Sequence, residues 1–210
     1  MIKRIIKKIC YQVYRIGYNE ANNLLSKERH AFLKANIKYN PDNVDIDNDA
    51  VIINHRKNPN YIQIGNRSWV RGELLVYKHG GNILIGDDCL IGSNSKIWSS
   101  INIKIGNRVL ISHNVNIHDN ISHPLDAEER HRDFLYIKKN KQLRESVNIR
   151  EQEIVIENDV WVGFNSTILK GVKIGEGSII GANTVITKNI PPFSVVIGNP
   201  AKIIKNVKKN

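Results

Sequence analysis

Cysteine is almost missing from this chain of 210 residues, and the two present, Cys10 and Cys89, lie far apart with no CxxC spacing. A disulfide framework or a zinc ribbon is therefore excluded as the organiser of the fold. Aromatic residues make up only 7%, too few for a core built on rings. Long apolar runs are lacking as well, and no stretch approaches the roughly 18–20 residues of a membrane span. The opening MIKRIIKKICYQVYRIG breaks its apolar residues with charge every few positions. It therefore has no uninterrupted apolar segment of a secretory signal, and the protein is expected in the cytoplasm.

What is present is a composition able to bury a core, 41% hydrophobic and 24% charged, with a formal charge of +11. That charge invites a nucleic-acid partner until its distribution is examined. Residues 1–38 carry nine basic and two acidic side chains, and residues 188–210 carry five basic and none acidic. Residues 39–187 hold 17 basic and 18 acidic ones, so the body is neutral. With no basic surface interleaved with aromatics, nucleic acid is not expected as a partner.

The dominant pattern has a period of six. An aliphatic residue recurs at Ile156, Val162, Ile168, Ile174, Ile180 and Ile186, and the same register appears at Ile64, Val70 and Val76, at Ile85, Ile91 and Ile97, and at Ile105, Ile111 and Ile117. Glycine often follows (Gly163, Gly175, Gly181), and small or β-branched residues recur at the fourth place after the aliphatics, among them Ser68, Cys89, Ser95, Val109, Val115, Val160, Ser166, Val172, Ser178 and Thr184. Neither a helical period of 3.6 nor simple alternation produces this. A chain that turns a corner after each short strand, three strands per coil, does. The aliphatic residue then points into a narrow triangular core. Glycine marks a corner where a Cβ would crowd or where φ is positive, and coils stack at about 4.8 Å.

The segments IGDDCLIGSNSKI, IGNRVLISHNVNI and VWVGFNSTILKGVKIGEGSIIGANTVITKNIPPFSVVIGNPAKIIK resemble the hexapeptide-repeat acyltransferases, in particular the maltose/galactoside O-acetyltransferase-like branch and the polysaccharide O-acetyltransferases. The resemblance covers roughly residues 60–205. It implies an all-β fold, a left-handed parallel β-helix, spanning residues 41–210. It also implies a homotrimer, acetyl-CoA as donor with no metal, and a sugar hydroxyl as acceptor, in surface-polysaccharide or glycan biosynthesis. Handedness comes from the family, since the general crossover preference points the other way. Two regions lie outside the repeat. Residues 1–40 form a basic segment whose Ile2, Ile5, Ile6, Ile9, Val13 and Ile16 fall at helical spacing. Residues 119–155 are a charged excursion, read as a loop or arm leaving the prism, and loops of that length are usually functional.

Among the histidines, His123 stands apart because it opens the excursion in Ser122-His123-Pro124-Leu125-Asp126. The matching family motif carries a general base, and imidazole titrates near working pH, as deprotonation of a weakly nucleophilic hydroxyl requires. Asp119 and Asn120 are read either as an Asx corner or as groups that orient His123 or hold the acceptor. Trp98, Ser99 and Ser100 fall where the family places part of its acceptor pocket. The His118–His123 stretch is one residue longer than in the maltose-type enzymes, which weakens transfer of their acceptor contacts. By the same match, Trp161 lines a pantetheine channel and Gly163 and Phe164 offer backbone N–H groups to a developing oxyanion. Ala182 and Thr187 contact the pantetheine arm, and Lys188, Lys202 and Lys205 meet the CoA phosphates, the last two as point charges. Gly198-Asn199-Pro200-Ala201-Lys202 is the more specific tail signal, and Lys208 and Lys209 are read as a solvated tail.

Alternatives remain open on the sequence. His113, His118 and His123, spaced by five, suggest the zinc site of γ-class carbonic anhydrases, which share this β-helix. A non-catalytic β-helix scaffold and N-acetylation of an amino sugar are others. Residues 1–17 either cap the first coils or lie on an anionic inner membrane surface, each basic residue then contributing about 1 kcal/mol. The balance leans to the membrane.

Overall fold

The computed structural model describes residues 2–140 and 148–207. It comprises two units that divide between Ala35 and Asn36. The first is a single helix, α1, over Ile2–Asn36. The side chains of residues 1–10 and of Val13, which carry most of the isoleucine stripe, lie outside the described set; Tyr11, Tyr14, Ile16 and Tyr18 are exposed. No described helix is long and apolar enough to cross a membrane.

The second unit is the left-handed parallel β-helix, with three sheets of eight, six and five strands. The eight-stranded sheet stacks Asp45–Ile46, Trp69–Val70, Leu90–Ile91, Leu110–Ile111, Trp161–Val162, Ile179–Ile180 and Ser194–Ile197 in parallel, and an antiparallel strand Lys202–Asn206 closes it. The six-stranded sheet runs from Val51–Asn54 through Glu73–Val76, Lys96–Ser99, Asn116–His118 and Thr167–Ile168 to Val185–Ile186. The five-stranded sheet is Ile62–Ile64, Ile83–Ile85, Ile103–Ile105, Ile154–Ile156 and Lys173–Ile174. Up to Ile179–Ile180 and Val185–Ile186, hydrogen-bonded neighbours are every third strand in sequence, so each inner strand pairs with the coil above and the coil below.

The six-residue register is the interior. Val70, Ile91, Ile97, Ile111, Ile117, Val162, Ile168, Ile174, Ile180 and Ile186 have no exposed surface, and their fourth-place companions Ser95, Val109, Val115, Ser166, Ser178 and Thr184 have none either. The buried hydroxyls are satisfied along the stack: Ser95 Oγ donates to Ser112 O at 2.6 Å and Ser166 Oγ to Gly181 O at 2.9 Å. A polar atom in a narrow apolar prism is tolerated because the next coil supplies its acceptor.

The glycines after the aliphatics are there because of crowding. A Cβ on Gly86 would collide with Asn107 Oδ1, and one on Gly106 with Asn158 Oδ1. Those same oxygens accept the backbone N–H groups of Asp87 and Asn107 at 2.8 Å. The left-handed backbone falls two residues later, at Arg67, Asp88, Arg108, Asp159, Asn94, Asn114, Asn165 and Asn183, with φ between 55° and 60°.

The third corner, between the six- and five-stranded sheets, is the longest in the first two coils, and the excursion leaves from it. The chain departs after His118 and returns at Ile154. The excursion read as a loop contains a helix, α2, over Ala127–Asn140. The difference has a local cause: Asp126 Oδ1 accepts the Glu129 N–H at 2.8 Å, an N-cap, and Glu128 and Glu129 occupy the first turn with Lys138 and Lys139 in the last.

Candidate active site

The excursion begins with an anchored turn. The Asp119 side chain is fully buried. Its carboxylate accepts from Ser99 Oγ at 2.7 Å, Ser100 N at 2.8 Å, Ser100 Oγ at 3.0 Å, and Ile101 N and Asn102 N at 2.9 Å each. Asn120 Nδ2 donates to Ser100 Oγ at 3.0 Å, and Asn120 Oδ1 accepts the Ser122 N–H at 2.8 Å. Asp119, Asn120 and Ser100, expected to face an acceptor, thus form one inward network that ties the departing chain to the coil below. This is the Asx corner of the two sequence readings, and the side chains present no free face.

From that turn His123 is held on both sides. Ser122 takes a left-handed φ of 65°, and the His123 N–H bonds to Ile121 O at 2.8 Å. Beyond it, Arg130 Nη1 on α2 donates to the carbonyls of Pro124 at 3.1 Å and Leu125 at 3.0 Å. One turn further along α2, Asp133 Oδ2 lies 3.2 Å from His123 Nδ1; the Asp133 side chain is 2% exposed and the His123 ring 50%. Sequence reasoning missed Asp133. The signal was the spacing Asp126, Arg130, Asp133, which places a cap, a clamp and a carboxylate on one helical face, but only for a reader who sees a helix there.

A second cluster sits on the corner between the eight- and six-stranded sheets. Trp161 and Phe164 are half exposed, at 49% and 43%. Phe164 stacks on His113 from the coil below, centroids 5.2 Å apart and planes 4° from parallel. Trp161 Nε1 points toward Ser112 Oγ at 3.4 Å. The two N–H groups expected to face an oxyanion differ: that of Gly163 is spent on Ile180 O at 2.7 Å, whereas Phe164 N–H has no acceptor among the described residues. Ala182 occupies the same corner one coil on, and its backbone N is the atom nearest a Cβ on Gly163.

Trp161 also belongs to a row that runs outside the eight-stranded sheet. Ladder pairing aligns Trp69, Leu90, Leu110, Trp161, Ile179 and Val195, and the antiparallel strand sets Lys205 opposite Val195 and Lys202 opposite Ile197. The GNPAK turn is docked where it aims that strand: Gly198 N donates to Thr184 Oγ1 at 3.1 Å and Val185 N to Gly198 O at 3.2 Å. This outward row, with exposed lysines at one end, has the apolar-then-cationic order that a ligand with a thioether-and-amide arm and phosphates requires. Thr187 and Lys188 are exposed, but they follow Val185–Ile186 at the excursion's corner, not at the corner of Phe164 and Ala182.

Trp98 stacks on His118 with centroids 4.7 Å apart, and Lys96 Nζ lies 5.4 Å over the Trp98 ring. The buried Trp98 Nε1 and His118 Nε2 have no hydrogen-bond partner among the described residues. Burial holds the His118 pKa below the usual imidazole range. The three histidines spaced by five are therefore dispersed, His113 to Phe164, His118 to Trp98 and His123 to Asp133. Among the described residues no three His, Cys, Asp or Glu side chains converge as ligands.

The stacked coils define the class first: two stretches of the chain carry the hexapeptide repeat. The model described as hexapeptide repeat of succinyl-transferase matches residues 82–118, and bacterial transferase hexapeptide (six repeats) matches residues 153–188. More particularly, the chain is similar to the galactoside O-acetyltransferase of Escherichia coli (strain K12), 31% identical over 147 residues that cover 70% of this chain and 64% of that one. A putative acetyltransferase of Schizosaccharomyces pombe is 33% identical over 134 residues, 64% of this chain and 58% of the relative. The chain thus spans less than two thirds of the length of either. Among solved structures, a hexapeptide-repeat-containing acetyltransferase of Vibrio cholerae superposes with a TM-score of 0.57 at 25% identity, over 87% of this chain and 81% of that one. An N-acyltransferase of Bacillus cereus, solved with dTDP-4-amino-4,6-dideoxyglucose and coenzyme A, reaches 0.64 at 20% identity over 86% and 90%.

Proposed function

We propose that the chain is an acetyl-CoA-dependent O-acetyltransferase that acts on a sugar hydroxyl in surface-polysaccharide or related glycan assembly. The observation that carries this reading is the presentation of His123, pinned through Nδ1 and half open to solvent on an anchored excursion. Its Nε2 takes the proton of the acceptor hydroxyl while the oxygen attacks the thioester carbonyl. The carbon–sulfur bond then breaks, and the imidazolium returns its proton to the departing thiolate, leaving an ester and free CoA. Phe164 N–H, having no internal acceptor, is the group suited to the charge on the carbonyl oxygen. Trp161 and Ala182 wall the arm, and Lys202 and Lys205 take its phosphates.

His123 and Phe164 start from opposite edges of the six-stranded sheet, so a complete site calls for two copies of the chain. A closed three-fold assembly places one copy's excursion against the next copy's Trp161–Phe164 corner. Residues 1–17 are the segment suited to an anionic membrane surface, where a lipid-linked acceptor would be found.

The test is acetyl transfer itself. Purified protein is incubated with acetyl-CoA and a panel of free, nucleotide-linked and lipid-linked sugars, and products are read by mass spectrometry before and after mild alkali. An alkali-labile acetyl group supports the reading. An alkali-stable one assigns amide formation on an amino sugar instead, and no transfer to any sugar removes the reading altogether. His123→Ala is expected to lower kcat by roughly 10²–10⁴ with acetyl-CoA binding intact.

A further inference from the structure

We propose that Asp133 is a positioning residue that fixes the tautomer and direction of the His123 ring. The inference rests on the transferase reading for what His123 does, while the geometry that supports it stands independently of any substrate.

The carboxylate is almost completely buried, yet among the described residues Oδ2 meets only His123 Nδ1, at 3.2 Å, and Oδ1 meets no partner. Burial of a carboxylate with so few donors is costly, and a helix cap, a core or a surface would be better served by another residue. An ionised carboxylate only accepts, so the proton between the two groups belongs to Nδ1. The neutral ring then carries its lone pair on Nε2, the nitrogen directed away from the carboxylate, where a hydroxyl proton can be received. When the ring takes that proton, the positive charge forms beside a negative one shielded from water. A histidine on a loop that turned freely would spend most of its time in other rotamers and in the other tautomer. Here the Asp126 cap and the Arg130 clamp on Pro124 and Leu125 fix the distance between loop and helix, so the carboxylate and the ring are held as one unit.

Two measurements test this on the full-length protein. The first needs no acceptor: ¹⁵N–¹H correlation spectra of the histidine rings, with His123 assigned by comparison with His123→Ala. The expected result at pH above the ring's titration is an Nδ1–H tautomer for His123, lost in Asp133→Ala, with circular dichroism and melting used to confirm that the variant is folded. An Nε2–H tautomer in the unsubstituted protein, or the same tautomer in both, overturns the proposal.

The second measurement is a cycle of rates with acetyl-CoA and methyl galactoside as probe. Asp133→Asn is expected to lower kcat by roughly 10²–10⁴ with KM for acetyl-CoA unchanged, and to have no further effect in the His123→Ala background. An equal loss in both backgrounds assigns Asp133 a merely structural role and also overturns the proposal. If His123→Ala retains full activity, the transferase role of His123 fails while the tautomer result still decides the positioning claim.

Discussion

The coil corners and the excursion immobilise side chains in opposite ways. At the corners the same contact is repeated from coil to coil. Arg67 pairs with Asp88 and Arg108 with Asp159, each at 2.6 Å, from successive left-handed positions. The Asx side chains of Asp87, Asn107 and Asn158 likewise bond to the backbone of the coil before them. The excursion has no repeat to lean on, and each of its contacts among the described residues occurs once. Asp119 anchors its departure, Asp126 and Arg130 fix the helix to the loop, and Glu151 meets His79 at 2.8 Å on its return. Redundancy protects a scaffold; single contacts let one histidine be aimed.

On this contrast the largest effect comes from the unique anchor. Asp119→Ala strands the backbone N–H groups of Ser100, Ile101 and Asn102 and is expected to cost about 3–5 kcal/mol in urea unfolding. Gly86→Ala forces a methyl group into Asn107 Oδ1 and is expected to cost about 1–3 kcal/mol, since neighbouring coils hold the rest of the ladder. The mid-helix Gly17 has open space around it, and Gly17→Ala is expected to gain up to about 1 kcal/mol in helix stability.

Titration sharpens the same contrast. Burial pushes the Tyr77 phenol, packed beneath the excursion's base, up to about 12, a hydrogen bond with Asn120 opposing only in part. A phenol whose folded pKa lies above its unfolded value adds stability below pH 10. That stability is lost as pH rises toward 12, so Tyr77→Phe flattens the alkaline limb of the unfolding curve. His118 is shifted the other way by burial. Its contribution is present above its unfolded pKa and is lost as pH falls below about 6.5, a loss that His118→Asn removes. The smallest effect is expected at a repeated surface pair: Arg67→Asn, which keeps a residue tolerant of positive φ, leaves the unfolding midpoint unchanged within error at physiological salt.

The interior was legible because its physics is periodic. Ile156 through Ile186 report a constraint applied six times over, and a sixfold pattern is visible in one sequence. His123 was legible through the motif that surrounds it. Asp133 was not, because its partner lies ten residues away across a capped helix turn, and a contact made once leaves no period. Asp119 shows the converse: a carboxylate beside a histidine reads as chemistry, whereas the structure turns it inward to collect backbone N–H groups. The glycines were half legible, crowding and positive φ being indistinguishable until the backbone separated them by two positions.

The outward row on the eight-stranded sheet makes the coil stack a graduated ruler. From Trp161 to Lys205 the ladder advances by whole strands, through Ile179 and Val195, so the span between an aromatic wall and a cation is about three steps of 4.8 Å. Such a span cannot be tuned continuously. Insertion or loss of a coil would move the lysine by one full graduation, leaving the length of ligand that bridges the two as an integer property of the chain.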